Sequence, residues 1–187
     1  MSGESVVIRS YRRMLDARET HDVFRAAILG SAARDYTPEQ TAAWAGAPDI
    51  DLRGWDDRRA AADTFVAVVE GHVVGFADLQ LDGLVDMLFV RPEFAGRGIA
   101  RQLVETVKRS AFASGITTLR TYASRTAKPA FEQFGFRVVA DRPDNVAGGV
   151  VVPNYEMRVI CARIADEPHR ERCVEVVSIE LKVHLLT

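Results

Sequence analysis

Val90-Arg91-Pro92-Glu93-Phe94-Ala95-Gly96-Arg97-Gly98-Ile99-Ala100-Arg101-Gln102-Leu103 is the stretch on which the fold turns. Ahead of it, Asp86-Met87-Leu88-Phe89-Val90 is a short apolar run of the kind that forms a buried strand. Behind it, Ile99, Leu103, Val107 and Ala111 recur every fourth residue, the apolar stripe of an amphipathic helix. Between strand and helix lies a turn carrying Gly96, Arg97 and Gly98. Glycine lets the backbone come close to a ligand, and the first amides of a helix have no intrahelical acceptor. With the helix dipole, such amides make a seat for an anion such as a pyrophosphate. The same residues also suit an ordinary strand-to-helix turn, so the surrounding sequence has to decide.

Two further stretches bear on that choice. The run V-x-P-x-x-x-G-x-G-I-A resembles motif A of the GNAT N-acetyltransferases, where this loop cradles the pyrophosphate of acetyl-CoA. Ala127-Lys128-Pro129-Ala130-Phe131-Glu132-Gln133-Phe134-Gly135-Phe136 is similar to the second signature of that superfamily, a short helix closing on Gly-Phe. With Tyr36-Thr37-Pro38-Glu39-Gln40 and Trp44, the pattern resembles the YafP-like branch. The resemblance covers residues 6 to 160. It implies an α/β GNAT fold, a mixed and mostly antiparallel twisted sheet with helices on both faces. One departure stands out: Ala95 occupies the place where the loop usually opens with Gln or Arg, which removes a side-chain contact and leaves the backbone cradle.

Composition narrows the class independently. At 187 residues a single domain with a sizeable core is expected, and 48% hydrophobic with 27% charged residues is ordinary for a globular chain. A formal charge of −2 gives no general attraction to nucleic acid or to anionic lipid. No apolar run approaches the roughly 20 residues that span a bilayer, and Met1-Ser2-Gly3-Glu4-Ser5 has neither the basic start nor the apolar core of a signal peptide. Cys161 and Cys173 are too few for a disulfide framework, which suggests a reducing cytoplasm. Four scattered histidines without metal-ligand spacing argue for no metal.

Read in order, Val6-Val7-Ile8 starts a strand and Asp16 caps a helix through about residue 33, with His21 on its surface. Thr37 and Gln40 have capping-box spacing around Pro38, which predicts a second helix carrying Trp44. Residues 46–57 read as a loop. Two strands flank Glu70-Gly71-His72 as a hairpin, and a third runs unbroken from about Leu84 to Val90. After a helix over about 98–114, Thr117 to Ala123 is expected to pair parallel to the strand ending at Val90. A helix over about 127–134 precedes an antiparallel pair, Arg137 to Ala140 with Val150 to Ile160. Residues 1–161 thus form the domain. Residues 162–187 are an extension in which Ser178 to Leu185 alternates like a half-buried strand, a candidate edge for a homodimer.

Acetyl transfer from a thioester to an amine needs a cofactor seat, a donor to the developing oxyanion and a base. The resemblance implies that the strands around Val90 and Tyr122 part, and that Leu88, Phe89 and Val90 bind the pantetheine of acetyl-CoA. The pyrophosphate would sit on Gly96, Arg97, Gly98, Ile99, Ala100 and Arg101. Because an alkylamine has a pKa of about 10.4 and arrives protonated, a base must take its proton. Asp86 is the candidate, with Asp78 behind it; otherwise Asp86 caps a strand edge or pairs with an arginine. The tyrosine that protonates the leaving thiolate in many members of the superfamily corresponds to Phe131, which cannot donate. Tyr122, Ser124 and Tyr155 are the substitutes, unless the thiolate leaves unassisted. Tyr36 and Trp44 are candidate walls of the acceptor pocket, and Trp55 with Asp49, Asp51 and Asp56 suggests a place for a small cation. The acceptor is therefore expected to be a small-molecule amine, with no nucleic-acid or membrane partner. The alternative is a catalytically weak CoA-binding module that senses or scaffolds.

Overall fold

The computed structural model describes residues 5–161. Element order is β1 (Val7–Ser10), α1 (Ala17–Ala26), α2 (Pro38–Ala45), α3 (Leu52–Ala61), β2 (Asp63–Val69), β3 (His72–Leu79), β4 (Leu84–Val85), β5 (Leu88–Val90), α4 (Ile99–Ala113), β6 (Thr118–Ser124), α5 (Lys128–Gln133), β7 (Arg137–Arg142), β8 (Val146–Ala147), β9 (Val150–Val151) and β10 (Asn154–Ile160). The strands form two four-stranded sheets, ordered β1-β2-β3-β5 and β4-β6-β10-β7, plus the small hairpin β8-β9. Every pairing is antiparallel except β4 with β6.

Helices cover both faces. On one, Leu103, Val104 and Val107 of α4 and Phe131 of α5 pack with Ala67, Leu119, Phe136 and Met157 into the larger core. On the other, Ala17 and Val23 of α1 and Trp55 of α3 pack on Val66, Val73 and Phe76. This is the expected mixed α/β architecture. Among the described residues, no helix is long and apolar enough to cross a membrane. The expected strand at Ser178 to Leu185 lies outside the described residues, and so does any homodimer built on it.

Several expectations change in detail. The first helix holds to Ala26, then widens into a π-helical turn over Ala27–Ser31 and tightens into a 3₁₀ turn over Ala32–Arg34. Asp16 stands at its N-cap without capping it; its carboxylate accepts from Arg9 at 2.6 and 2.9 Å and from Arg12 instead. His21 is buried, its ring edge-on to Trp55 at 5.2 Å, and burial lowers its pKa. The expected loop over 46–57 is wrong in its second half, which is α3. Asp51 accepts from the Arg53 amide to open it, while Gly54 and a run of charges hide any apolar stripe. The capping box at Thr37 and Gln40 is formed in both directions.

The most consequential change concerns the unbroken strand over 84–90. It is two strands in two sheets. Leu84 and Val85 pair parallel with Arg120 and Thr121, whereas Leu88, Phe89 and Val90 pair antiparallel with Ala77, Phe76 and Gly75. Asp86 and Met87 form the step between them.

Candidate active site

The step is held from β3. Asp78, fully buried, accepts from the amides of Asp86 at 3.1 Å and Met87 at 2.9 Å through Oδ1. Its Oδ2 lies 3.3 Å from Nη2 of Arg59, which is 2% exposed and stacks over Trp55 at 5.0 Å. Nε and Nη1 of Arg59 have no hydrogen-bond partner among the described residues. Burial raises the Asp78 carboxyl to about 6, against the pull of Arg59 and the two amides.

Beyond the step, β5 and β6 part, and the backbone alternation says which groups face the gap. Met87 gives its carbonyl to Asp78, and Arg91 gives its amide to Val74, both toward β3. In an antiparallel ladder the intervening residues point the other way. The N–H and C=O of Leu88 and Val90 therefore face the gap, and those of Phe89 face β3. The Leu88 and Val90 side chains pack on the larger core, and Phe89 on the smaller.

The gap widens into a cavity of about 370 Å³ that passes between the layers. Phe24 and Phe89 from the smaller core, Trp44, and Ala127 and Phe131 from the larger core line it, together with Asp86, Tyr122 and Ser124. Phe24, Phe89, Trp44 and Tyr36 are one aromatic cluster, with Phe24 on Phe89 at 5.0 Å and Tyr36 on Trp44 at 5.8 Å. Tyr36 contributes a ring only. Its hydroxyl donates to the Pro153 carbonyl at 2.6 Å and accepts from the Arg125 amide at 2.9 Å.

Asp86 is exposed within the cavity, and its carboxylate makes no ion pair among the described residues, so the pairing with an arginine is not seen. It also borders a second hollow of about 410 Å³ with Arg58, Arg59, Gln80 and Asp82. Ser124 accepts from the Ala127 amide at 3.1 Å as the chain enters α5. The Tyr122 ring, 37% exposed, lies under the guanidinium of Arg142 at 4.1 Å. Tyr155 is not brought to the cavity: it packs on the larger core beneath α5, with Lys128 over its ring at 5.3 Å. Trp55, Asp51 and Asp56 are also elsewhere. Trp55 is core, Asp51 opens α3, and buried Asp56 accepts from Tyr11 at 2.7 Å and from the Met14 amide at 2.8 Å. Sequence reasoning missed Arg142, Asn145 and Asn154, which line the cavity from the β7–β10 side and belong to no motif.

From Val90 the chain runs directly into the glycine turn. Gly96 and Gly98 both have φ of +77°, and a Cβ added at either would meet nothing within 4 Å. The turn is thus left-handed and open on its outer side. Gly98 caps α4, and the Gln102 amide is the donor that reaches its carbonyl. The amides of Ile99, Ala100 and Arg101 precede it and have no intrahelical acceptor. The Arg97 guanidinium lies over Phe94 at 4.8 Å and that of Arg101 over Phe134 at 5.4 Å, so both cations are kept at this end of the helix. Open glycines, amides without intrahelical acceptors and two guanidinium groups fit an anionic group such as a pyrophosphate.

Comparison with known proteins agrees with this geometry. The family model for the acetyltransferase (GNAT) domain matches residues 32–159. The uncharacterized N-acetyltransferase YafP of Escherichia coli K12 is 34% identical over 154 residues, spanning 82% of this chain and 95% of YafP. A crystal structure of a GCN5-related N-acetyltransferase from Rhodopseudomonas palustris superposes with a TM-score of 0.78. It is 31% identical, over 84% of this chain and 97% of that one. The structure of yncA from Salmonella typhimurium, solved with acetyl-CoA, shares the fold at a TM-score of 0.64 and 19% identity. That match covers 89% and 99% of the two chains.

Proposed function

Because the chain belongs to the GNAT acetyltransferases, we propose that it carries an acetyl group from acetyl-CoA to the amine of a small molecule, in the gap between β5 and β6. The observation that carries this reading is continuity. The edge bearing the outward peptide groups of Leu88 and Val90 leads straight into the open Gly96–Gly98 turn and the free amides of α4. A thin ligand with a pyrophosphate at one end and an amide-bearing arm at the other matches that path. The same fold holds acetyl-CoA in yncA, which supports the assignment.

Bound acetyl-CoA supplies an activated acyl group as a thioester. Leu88 and Val90 hold the amide-bearing arm, and one of their N–H groups polarises the thioester carbonyl; such a donor lowers the barrier by about 3–4 kcal/mol. Asp86 takes the ammonium proton and passes it toward the second hollow, freeing the nitrogen lone pair. The nitrogen forms the new amide bond as the carbon–sulfur bond breaks, and the sulfur leaves as a thiolate. With a thiol pKa of about 8.5 the thiolate is a fair leaving group, and Ser124 or Tyr122, both in the cavity lining, returns its proton.

The test is calorimetry with CoA and release of free thiol from acetyl-CoA with polyamines, amino acids, aminoglycosides and lysine peptides. Turnover is expected with at least one small amine. Acetylation of peptides alone would remove the small-molecule part. CoA binding with no turnover on any amine would favour the second reading, a CoA-binding module, for which Phe131 in the usual tyrosine position speaks.

A further inference from the structure

We propose that the acceptor amine also carries a carboxylate, as an amino acid does, and that Arg142 holds that carboxylate. This rests on the transferase reading and adds the chemical class of its acceptor.

The observation is how Arg142 is kept. Some arginines here face acids: Arg9 meets Asp16, Arg59 meets Asp78 and Arg120 meets Asp82. Arg142 lines the cavity, and among the described residues no carboxylate pairs with it. Its guanidinium carbon lies 4.1 Å from the centroid of the Tyr122 ring, and the bond that its Nη1 donates to Asn154 Oδ1 is long, at 3.5 Å. A guanidinium resting on an aromatic ring keeps N–H donors for an external acceptor, and its planar fork suits a carboxylate bidentately.

The rest of the cavity complements such a molecule. Asp86 supplies one negative charge for the ammonium, and Arg142 one positive charge for the acid. Phe24, Trp44 and Phe89 offer an apolar face to the side chain. A polyamine would bring positive charge against Arg142, and a neutral amine would leave the guanidinium desolvated without a partner; both are disfavoured.

The experiment compares matched series: phenylalanine with phenylalaninamide and phenethylamine, and leucine with leucinamide and isopentylamine. The phosphonate analogue of phenylalanine separates a carboxylate from any anion. The free acids are expected to exceed the amides and decarboxylated amines in kcat/KM by about 10- to 100-fold, the range of a charged hydrogen bond. In Arg142→Leu that ratio should fall to near one, and Arg142→Lys should keep part of it. Equal or better turnover of amides or decarboxylated amines by the wild type, or an unchanged ratio in Arg142→Leu, would overturn the proposal; so would a phosphonate preferred to the acid. If no amine at all is acetylated, the transferase reading fails separately. The carboxylate site is then decided by calorimetry of phenylalanine with the CoA-loaded protein: binding lost in Arg142→Leu supports it, and no binding overturns it.

Discussion

Asp78 and Met87 are tied to each other twice. The Asp78 amide donates to the Met87 carbonyl at 3.1 Å, and the Met87 amide donates to the Asp78 side chain at 2.9 Å. A side-chain oxygen thus stands where a ladder carbonyl would be, and the same oxygen also accepts from Asp86. That double acceptance makes the step between β4 and β5, and so opens the gap.

Asp78→Ala should therefore remove both the step and the partner of buried Arg59. Breaking a buried ion pair by deleting one member costs about 3–5 kcal/mol. Asp78→Asn, whose amide oxygen can still accept both N–H groups, should cost less. Urea denaturation measures both; wild-type stability in Asp78→Ala would show that the pair does not hold the step.

Two carboxyl groups should pull stability in opposite directions with pH. Asp78 is raised from 3.8 to about 6, chiefly by burial, so its contribution is fully present below pH 3.8 and is lost as pH rises through 6. Asp16 is pushed up by burial but pulled further down by Arg9 and Arg12, to about 2; its contribution is present above 3.8 and lost as pH falls through 2. Melting temperatures across pH 2 to 7 should show the acid-side loss flattened in Asp16→Asn. The decline between about 4 and 6 should be flattened in Asp78→Asn. Unchanged slopes in either variant would refute that assignment.

Asp86→Asn keeps the shape of the cavity wall and removes the base. The expected loss is in kcat, about 10²–10⁴-fold, with CoA affinity nearly unchanged. Higher pH should partly rescue the rate, because more of the amine is then already deprotonated. A wild-type rate near neutrality would make Asp86 structural and send the search to Asp78 or to a water chain.

Gly98→Asp should abolish CoA binding. The new side chain would project into the open side of the turn at a φ of +77°, adding left-handed strain and a negative charge where phosphate is to sit. Calorimetry with CoA decides; retained affinity would remove the phosphate seat from this turn.

Phe131→Tyr adds a hydroxyl to a side chain that lines the cavity. If the leaving thiolate already has a donor or needs none, kcat should change by less than about threefold, small beside the 10²–10⁴-fold of general acid–base catalysis. A rise within that catalytic range would show that the site lacks a donor, and would lend weight to the reading of a weakened enzyme.

How much of this was legible depended on whether its cause was local. The turn at Gly96 and Gly98, the capping box at Thr37 and the hairpin at Gly71 are written in neighbouring residues, and all three form as read. The step at Asp86 was not legible, because Leu84 to Val90 is apolar but for Asp86 and the group that breaks the strand comes from Asp78 in the neighbouring one. Helix α3 was missed for a related reason: Trp55 and Arg59 are buried by distant partners, not by a stripe of their own. Of the candidate site, the glycine turn and Asp86 carried signals. Tyr155 packs against the larger core, and Arg142 was invisible because only the pairing of β7 with β10 carries it to the cavity.

A sheet edge ordinarily invites a second chain to add itself, and exposed ladders are where soluble proteins begin to aggregate. Parting β5 from β6 creates two such edges in one small domain. Both border the cavity, whose lining includes Trp44 and Phe131. The outward peptide groups of Leu88 and Val90 thus face a gap inside the domain. What would be a hazard at the rim of the sheet becomes, at its middle, a slot that only something slender enough to enter can complete.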